Sequence, residues 1–387
     1  MNPQAPALIP AVEHQDEIFA PAFTILNNAI AERAFPAVSI AVTQGNNLVA
    51  SKSLGRSAYE EDDPSKSSVG GNFDVTPSTL FDLASLTKPV ATTTAAAILY
   101  ERGLLELEAP LIGVIPEFAG SSDPRRNEVT FHMLLAHSSG LPAYEKLFMK
   151  AKTRDDLLRG AFVTSLSADP GARAEYSDIG FILLGVALER LAGESLDTFC
   201  QREIFGPLGM VNTTFNLPAE MRGRIPPTAD DLTFRKRIIQ GEVQDENANV
   251  LGGVAGHAGL FATVEDLAIF AHALLQCGAS LCGAGTPARV PILRPETIQL
   301  FTRRESAPAG TSRTLGWDTP SSASQSGKYF GLRSYGHLGY TGTSLWIDPD
   351  RQLSITLLTN RTWPDCQNQA IKQIRPKFHD AIIEALT

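Results

Sequence analysis

The sequence predicts an α+β fold: one antiparallel sheet assembled from both ends of the chain, flanked by helices, with a mostly helical segment inserted between them. Three observations carry this. Residues 36–42 alternate, with Val38, Ile40 and Val42 on one face, and 48–54 return as a second strand after the turn Gly45-Asn46-Asn47. Near the other end, 344–347 and 353–359 form a second hairpin about Asp348-Pro349-Asp350-Arg351. From about Leu104 to Leu300 the apolar spacing is mostly helical. The expected division is therefore residues 1–104 with 301–387 as the sheet domain and 105–300 as the helical domain, with a site in the cleft between them.

The elements follow in order. Ile18 to Ile30 has helical spacing of apolar residues. Val90 to Glu101 favours helix, with Gly103 as its stop. Pro89 is tolerated only where its missing N–H would be unpaired anyway, so that helix begins at about Ser85 or Leu86, with Ser85 near the cap. Val129 to His137 is a helix that stops at Gly140-Leu141-Pro142. Ile179 to Ala192 is apolar nearly all round, a buried helix capped by Ser177 or Asp178 and ended by Gly193. Thr263 caps an amphipathic helix carrying Leu267, Phe270, Leu274 and Leu275, and the Gly/Pro-rich stretch from Gly278 to Pro295 is a loop. A C-terminal helix with Ile371, Ile374, Phe378 and Ile382 is expected to break at Pro376.

Composition narrows the function. The chain has 387 residues, 43% hydrophobic and 19% charged, an ordinary globular balance. A formal net charge of −9 argues against a nucleic-acid backbone or an anionic membrane as partner. No apolar run reaches the roughly 18 residues that a membrane span needs. The acidic run Glu60-Glu61-Asp62-Asp63 reads as a solvated loop. Met1 to Ala5 lacks the basic and apolar regions of a signal peptide, so a cytoplasmic location is expected. Cys200, Cys277, Cys282 and Cys366 have no metal-like spacing; Cys277 and Cys282 could pair in an oxidising compartment, but reduced thiols are the expected state.

Chemistry is concentrated in three places. Ser85 and Lys88 are three apart, hence neighbours on one helical face, and place an amine beside a hydroxyl nucleophile at a helix start. Roughly one S-x-x-K is expected by chance in a chain this long, so the pair needs support. Tyr176-Ser177-Asp178 sits just before the buried helix, and His337-Leu338-Gly339-Tyr340 just before the Ser344 strand. Competing signals are thin. Gly252, Gly253, Gly256 and Gly259 lack a dinucleotide spacing and read as a structural loop lining the cleft. His132 and His137 lack the H-E-x-x-H pattern and read as hydrogen-bonded histidines, not as zinc ligands. No G-x-S-x-G is present.

S-x-x-K, then Y-x-[N/D], then [K/H]-x-G before a C-terminal hairpin, in that order, resembles the serine β-lactamase and penicillin-binding-protein superfamily. The resemblance is to its class C-like branch, which includes DD-peptidases and esterases. Thr130 to Leu141, Phe205 to Met210, Gly252 to Leu260 and Leu358 to Arg361 agree with it, so it spans about residues 35–365. It implies a β-lactamase/transpeptidase-like fold without metal or cofactor. It makes Ser85 the nucleophile, Lys88 its partner base and Tyr176 the proton shuttle. The backbone N–H groups of Ser85 and Tyr340 would form the oxyanion hole, and Asp178, His337 and Gly339 would occupy substrate-binding positions.

The departures bear on substrate. Asp178 stands where class C β-lactamases carry Asn, and His337-Leu338-Gly339 where they carry Lys-Thr-Gly. An ionised Asp178 cannot donate to a substrate carbonyl, Leu338 lacks the hydroxyl, and His337 is charged only part of the time near neutral pH. These changes weaken the capture of an anionic β-lactam unless Arg333 or Arg361 restores the contact. The reading is a serine hydrolase working through an acyl-enzyme, carboxylesterase-like on small esters. The alternatives are a DD-peptidase or weak β-lactamase on cell-wall-like amides, or a non-catalytic penicillin-binding or sensor module. The partner is a small-molecule ester or amide, and the oligomeric state is not set by the sequence.

Overall fold

A computed structural model describes residues 8–59, 71–119, 123–278 and 292–387. The acidic run from Glu60, Cys282 and most of the Gly278–Pro295 loop lie outside the described residues.

The expected sheet is present and has six strands. In chain order they are β1 (Ile9–Pro10), β2 (Ala37–Gln44), β3 (Asn47–Gly55), β4 (Tyr335–Leu338), β5 (Ser344–Asp348) and β6 (Leu353–Thr359). Their order across the sheet is β1-β3-β2-β6-β5-β4. The two termini join where β2 pairs antiparallel with β6, from Gln44 opposite Leu353 to Val38 opposite Thr359. Two strands are additions to the expected set. β1 pairs parallel to β3, and β4, which carries His337, forms the opposite edge beside β5.

Both faces of the sheet are covered, and the period-2 alternation of β2 sorts its residues between them. Val38, Ile40 and Val42 share one apolar cluster with Phe23 and Leu26 of α1 (Ala20–Ala31) and Phe378 and Ile382 of α5 (Ile371–Ala385). Burying side chains of this kind contributes about 1.5–3 kcal/mol each. Ala37 and Ala41, on the other face, belong to the large cluster that includes α4 (Val264–Gly278). The polar members of the strand are matched across the sheet: Thr43 bonds Ser354 at 2.7 Å and Ser39 bonds Ser53 at 2.8 Å. α5 runs through Pro376 without the expected break.

The inserted region is built about α3 (Asp178–Ala192), buried from Ile179 to Leu188. The Ser177 hydroxyl caps it by accepting from the Gly180 N–H at 3.0 Å, and Gly193 ends it at φ +71°. Thr263 caps α4 through the Asp266 N–H, as its sequence predicts.

The Ser85 segment differs in detail from expectation. After the two-residue strand Phe81–Asp82 come a 3-10 turn, Ala84–Leu86, a π-helical turn, Lys88–Thr93, and then α2 (Thr94–Glu101). Ser85 therefore lies inside the first turn and is not its cap; the Asp82 carboxylate instead accepts the Ala84 N–H at 2.8 Å. Ala84 has φ +47°, a conformation that costs a non-glycine residue energy, immediately before the serine. Pro89 sits at the opening of the π turn, where a missing N–H is harmless. Gly103, past the end of α2, has φ +68°.

Candidate active site

The helical turn brings Ser85 and Lys88 into contact, with Lys88 Nζ donating to Ser85 Oγ at 3.0 Å. Lys88 is fully buried, and its ammonium has two further acceptors, Asp178 Oδ1 at 2.6 Å and the His257 carbonyl at 3.0 Å. Three acceptors match the three donors of a cationic lysine and leave a neutral amine one hydrogen short. Burial alone would push the lysine down, but the Asp178 carboxylate outweighs it and holds Lys88 above the usual lysine value. The nucleophile therefore rests beside a fixed positive charge.

Tyr176 completes the group. Its ring lies 4.8 Å from Lys88 Nζ, and Lys88 and Ser85 both act on its phenol. Burial and the nearby Asp178 raise its phenol against the pull of Lys88, so the ring stays protonated near neutral pH. His137 packs against it, rings tilted by 38° with centroids 4.6 Å apart, and accepts the Ser177 N–H through Nδ1 at 3.0 Å. His137 thus sets the entry into α3 and the position of Tyr176 together. Burial, with the Arg313 and Lys88 charges, holds His137 well below the ordinary histidine value. Both are the hydrogen-bonded histidines expected from the sequence: His132 bonds Glu108 through Nδ1 at 2.6 Å and lies 3.1 Å from Glu305 through Nε2.

The turn after β4 is tied to the serine segment. Thr341 Oγ1 donates to the Asp82 carbonyl at 2.7 Å and Thr343 Oγ1 to the Leu83 carbonyl at 2.9 Å. From behind, Arg375 of α5 donates to the carbonyls of Gly339 and Thr343 at 2.9 and 2.8 Å, and Arg361 Nε donates to the Tyr340 carbonyl at 2.7 Å. Among the described residues, no backbone acceptor takes the Tyr340 N–H. Gly339 is required for this closeness: a Cβ there would stand 1.9 Å from Thr343 Oγ1 and 2.5 Å from the Leu83 carbonyl oxygen. Gly339→Ala is accordingly expected to displace the turn and lower kcat by about 10²–10³-fold, the usual cost of one oxyanion donor, with a much smaller change in KM. Steady-state kinetics on a variant that melts cooperatively checks this; an unchanged kcat contradicts it.

A second layer supports Lys88. The glycine stretch 252–259 packs against α3, where a Cβ on Gly256 would lie 2.1 Å from the Phe181 carbonyl oxygen. This brings the His257 carbonyl to Lys88, while the His257 ring bonds Asp245 Oδ1 at 2.8 Å through Nε2. The stretch is structural, as its spacing suggests. Among the described residues no cluster of His, Cys, Asp and Glu could hold a metal ion.

Three placements differ from the sequence reading. Asp178 is engaged with Lys88. His337 is nearly fully buried, its Nδ1 donates to the Leu338 carbonyl at 2.8 Å, and Nε2 has no partner among the described residues. Burial, with the Lys88 and Arg313 charges, keeps it well below the ordinary histidine value, hence neutral. Both arginines suggested as an anion site have protein partners. Besides its bond to Tyr340, Arg361 is held by the carbonyls of Cys366 and Asn368, and Arg333 pairs with Asp350. Arg361 and Arg375 as braces, and the Asp245–His257 pair, left no local sequence signal, because each contact joins remote parts of the chain.

Residues 22–375 match the protein family described as Beta-lactamase. The chain is 31% identical over 363 residues to a "Putative D-alanyl-D-alanine carboxypeptidase" of Escherichia coli (strain K12), covering 84% of this chain and 79% of that protein. It is 32% identical over 311 residues to an "N-acetylmuramyl-L-alanine amidase" of Bacillus subtilis (strain 168), covering 73% of this chain and 68% of that protein. Among solved structures it resembles "EstCE1, a hydrolase with promiscuous acyltransferase activity", with a TM-score of 0.74 at 19% identity, covering 95% of this chain and 99% of that one. At that identity the likeness speaks to the fold alone. Among the described residues no helix is long and apolar enough to cross a membrane.

Proposed function

Since the chain belongs to the beta-lactamase family, we propose that it is a serine hydrolase that cleaves small esters or peptide-like amides through an acyl-enzyme on Ser85. The observation that carries this is the grouping of Ser85, Lys88 and Tyr176 in one partly open site, with Lys88 Nζ donating to the serine hydroxyl at 3.0 Å and the Tyr176 ring 4.8 Å from Nζ.

In acylation Ser85 Oγ bonds to the substrate carbonyl carbon and the bond to the leaving atom breaks. Lys88 is cationic and fully bonded, so it stabilises the developing charge and is not the proton acceptor. Tyr176 takes the serine proton while passing its own to the leaving atom, and no net proton remains on the enzyme. The Ser85 and Tyr340 N–H groups receive the oxyanion. Water then reverses the sequence and releases the acid. The division of labour differs from the one the resemblance implies, in which Lys88 acts as base, because Asp178 holds the lysine charged.

Tyr176→Phe removes the relay but keeps the ring between its neighbours. It is expected to lower kcat for p-nitrophenyl butyrate by about 10²–10⁴-fold, as for other general acid–base groups. Stopped-flow and steady-state assays check this, and a rate within threefold of the unmodified protein contradicts it. The curated relatives named for a carboxypeptidase and an amidase support peptide-like amides beside the small esters expected from the sequence.

A further inference from the structure

Three parts of the site meet at one buried residue. Asp82 is 2% exposed. Its Oδ1 accepts the Ala84 N–H at 2.8 Å and its Oδ2 the Gln244 N–H at 2.6 Å, while its own carbonyl accepts from Thr341 Oγ1 at 2.7 Å. The first bond holds the turn that presents Ser85, and the third holds the turn that carries the Tyr340 N–H. The second reaches the loop that supports Lys88, and that loop is itself clamped. Arg235 donates to the carbonyls of Val243 and Gln244 at 2.7 and 2.6 Å and pairs with Asp231 at 2.8 Å. Next to Gln244, Asp245 Oδ1 accepts the Ala248 N–H and bonds His257 Nε2, each at 2.8 Å, and the His257 carbonyl receives Lys88.

This junction depends on the charge of Asp82. Two N–H donors arrive on two different oxygens. An ionised carboxylate accepts both, whereas in the protonated form one oxygen carries a hydrogen. One of the donors is strained: Ala84 has φ +47°, which persists in a non-glycine residue only where its surroundings fix it. Burial, with the Asp245 charge, outweighs the two N–H bonds and Arg235 and raises Asp82 to about 6. Those two charged groups come from the loop just described. Opposite Asp82 the strand Phe261–Ala262 brings no ionisable side chain, and the Tyr340 ring of the neighbouring turn packs on Arg361 at 4.5 Å. His137 and His337 are held well below the ordinary histidine value, and Lys88 and Tyr176 are raised, so none of these four titrates near 6.

We propose that Asp82 is a positioning residue for acyl transfer, whose ionised carboxylate holds the Ser85 turn, the oxyanion turn and the Lys88 loop in one register, and that its protonation loosens the site into a slow form. The catalytic part of this rests on the acyl-hydrolase reading above; the junction itself does not. A misplacement on the order of 1 Å at a reacting group costs about 10²-fold. Stability has the opposite sign. Asp82 binds its proton more tightly in the folded chain than at the unfolded value of about 3.9, so its protonation adds stability as pH falls, a contribution lost as pH rises through about 6. Rate and melting temperature therefore part company on the acid side, whereas acid unfolding would lower both.

The test follows rate and structure over the same pH range. For the unmodified protein, kcat/KM for p-nitrophenyl butyrate should fall about tenfold per pH unit below about 6 and level off about 10–100-fold down, with no drop in melting temperature between about pH 7 and 5. The amide resonances of Ala84 and Gln244 should shift with the same midpoint. Asp82→Asn, with one acceptor oxygen and an amide donor in place of the other, should stay at the lower rate throughout, with both amides insensitive to pH. If that variant loses its melting transition, Asp82→Glu decides: the limb and the amide titration should both persist at a shifted midpoint. A flat rate through pH 6 in the unmodified protein, a limb with static amides, or a limb that survives in Asp82→Asn overturns the proposal. Titrating amides in a protein that turns over no ester at any pH overturn the hydrolase reading and leave the junction standing.

Discussion

Ser85→Ala is expected to lower kcat/KM for p-nitrophenyl butyrate by on the order of 10⁵-fold or more, close to the effect of losing a nucleophile in other serine hydrolases. The reason is geometric as well as chemical. Ser85 Oγ accepts from Lys88 Nζ at 3.0 Å, and the Tyr176 ring stands 4.8 Å from that same Nζ. Without it the cation and the relay act on no nucleophile, and only the oxyanion donors remain to assist water. The fold should be retained, since Ser85 is half-buried and the hydrogen bonds of Lys88 to Asp178 and the His257 carbonyl persist. Burst and steady-state kinetics with a thermal melt measure both. Retained turnover in a folded variant would contradict the assignment.

The second large effect concerns the charge on Lys88. Asp178→Asn keeps a hydrogen-bond acceptor for Nζ at the position now 2.6 Å away but removes the negative charge. Burial, which already opposes the charged lysine, then loses its main counterweight, and Lys88 should fall below the usual lysine value. Two consequences have definite signs. In the unmodified protein the raised Lys88 keeps its contribution to stability below the unfolded lysine value of about 10.4 and loses it only at higher pH. In the variant the folded lysine binds its proton less tightly than the unfolded one. Stability should therefore rise with pH between the lowered value and about 10.4. Activity should do the opposite. If the ammonium is the catalytic form, kcat/KM of the variant falls on the alkaline side of its lowered Lys88 value, by about tenfold per pH unit once the lysine is mostly neutral. The unmodified protein stays flat there. A variant whose rate instead climbs with pH would make neutral Lys88 the base and remove the role given to Asp178.

Much of this arrangement was legible along the chain, and for local reasons. Alternation at Val38, Ile40 and Val42 marks a strand because side chains alternate faces every residue, and α1, α5 and the sheet do meet on that face. Ser85 and Lys88 are one helical turn apart, so their contact follows from spacing. Tyr176 and Gly339 are far away in sequence, and only the order of the three short motifs marked them. The errors are also physical. Ser85 has the residue type of a cap, but Asp82, three residues earlier, holds the first N–H of the turn. Pro376 has the residue type of a helix breaker, but α5 continues past it.

What spacing could not disclose is partnership between remote residues. Asp178 occupies a substrate-contact position in the motif, and in three dimensions it lies against Lys88. Arg361 looked like a free cation near the end of the last strand, but three carbonyls hold it. Arg313 carried no motif at all. It reaches Tyr176 because the segment 311–319 is added to the edge of β4, a pairing that nothing in its own residues announces.

The central claim is a covalent acyl group on one hydroxyl. Protein mixed with p-nitrophenyl butyrate, acid-quenched during turnover and analysed by intact-mass and peptide-mapping spectrometry should carry a single butyryl group on the peptide containing Ser85. The Ser85→Ala protein treated in the same way should carry none. Turnover with no adduct at the earliest quench times, or an adduct on another residue that persists in Ser85→Ala, would contradict the account.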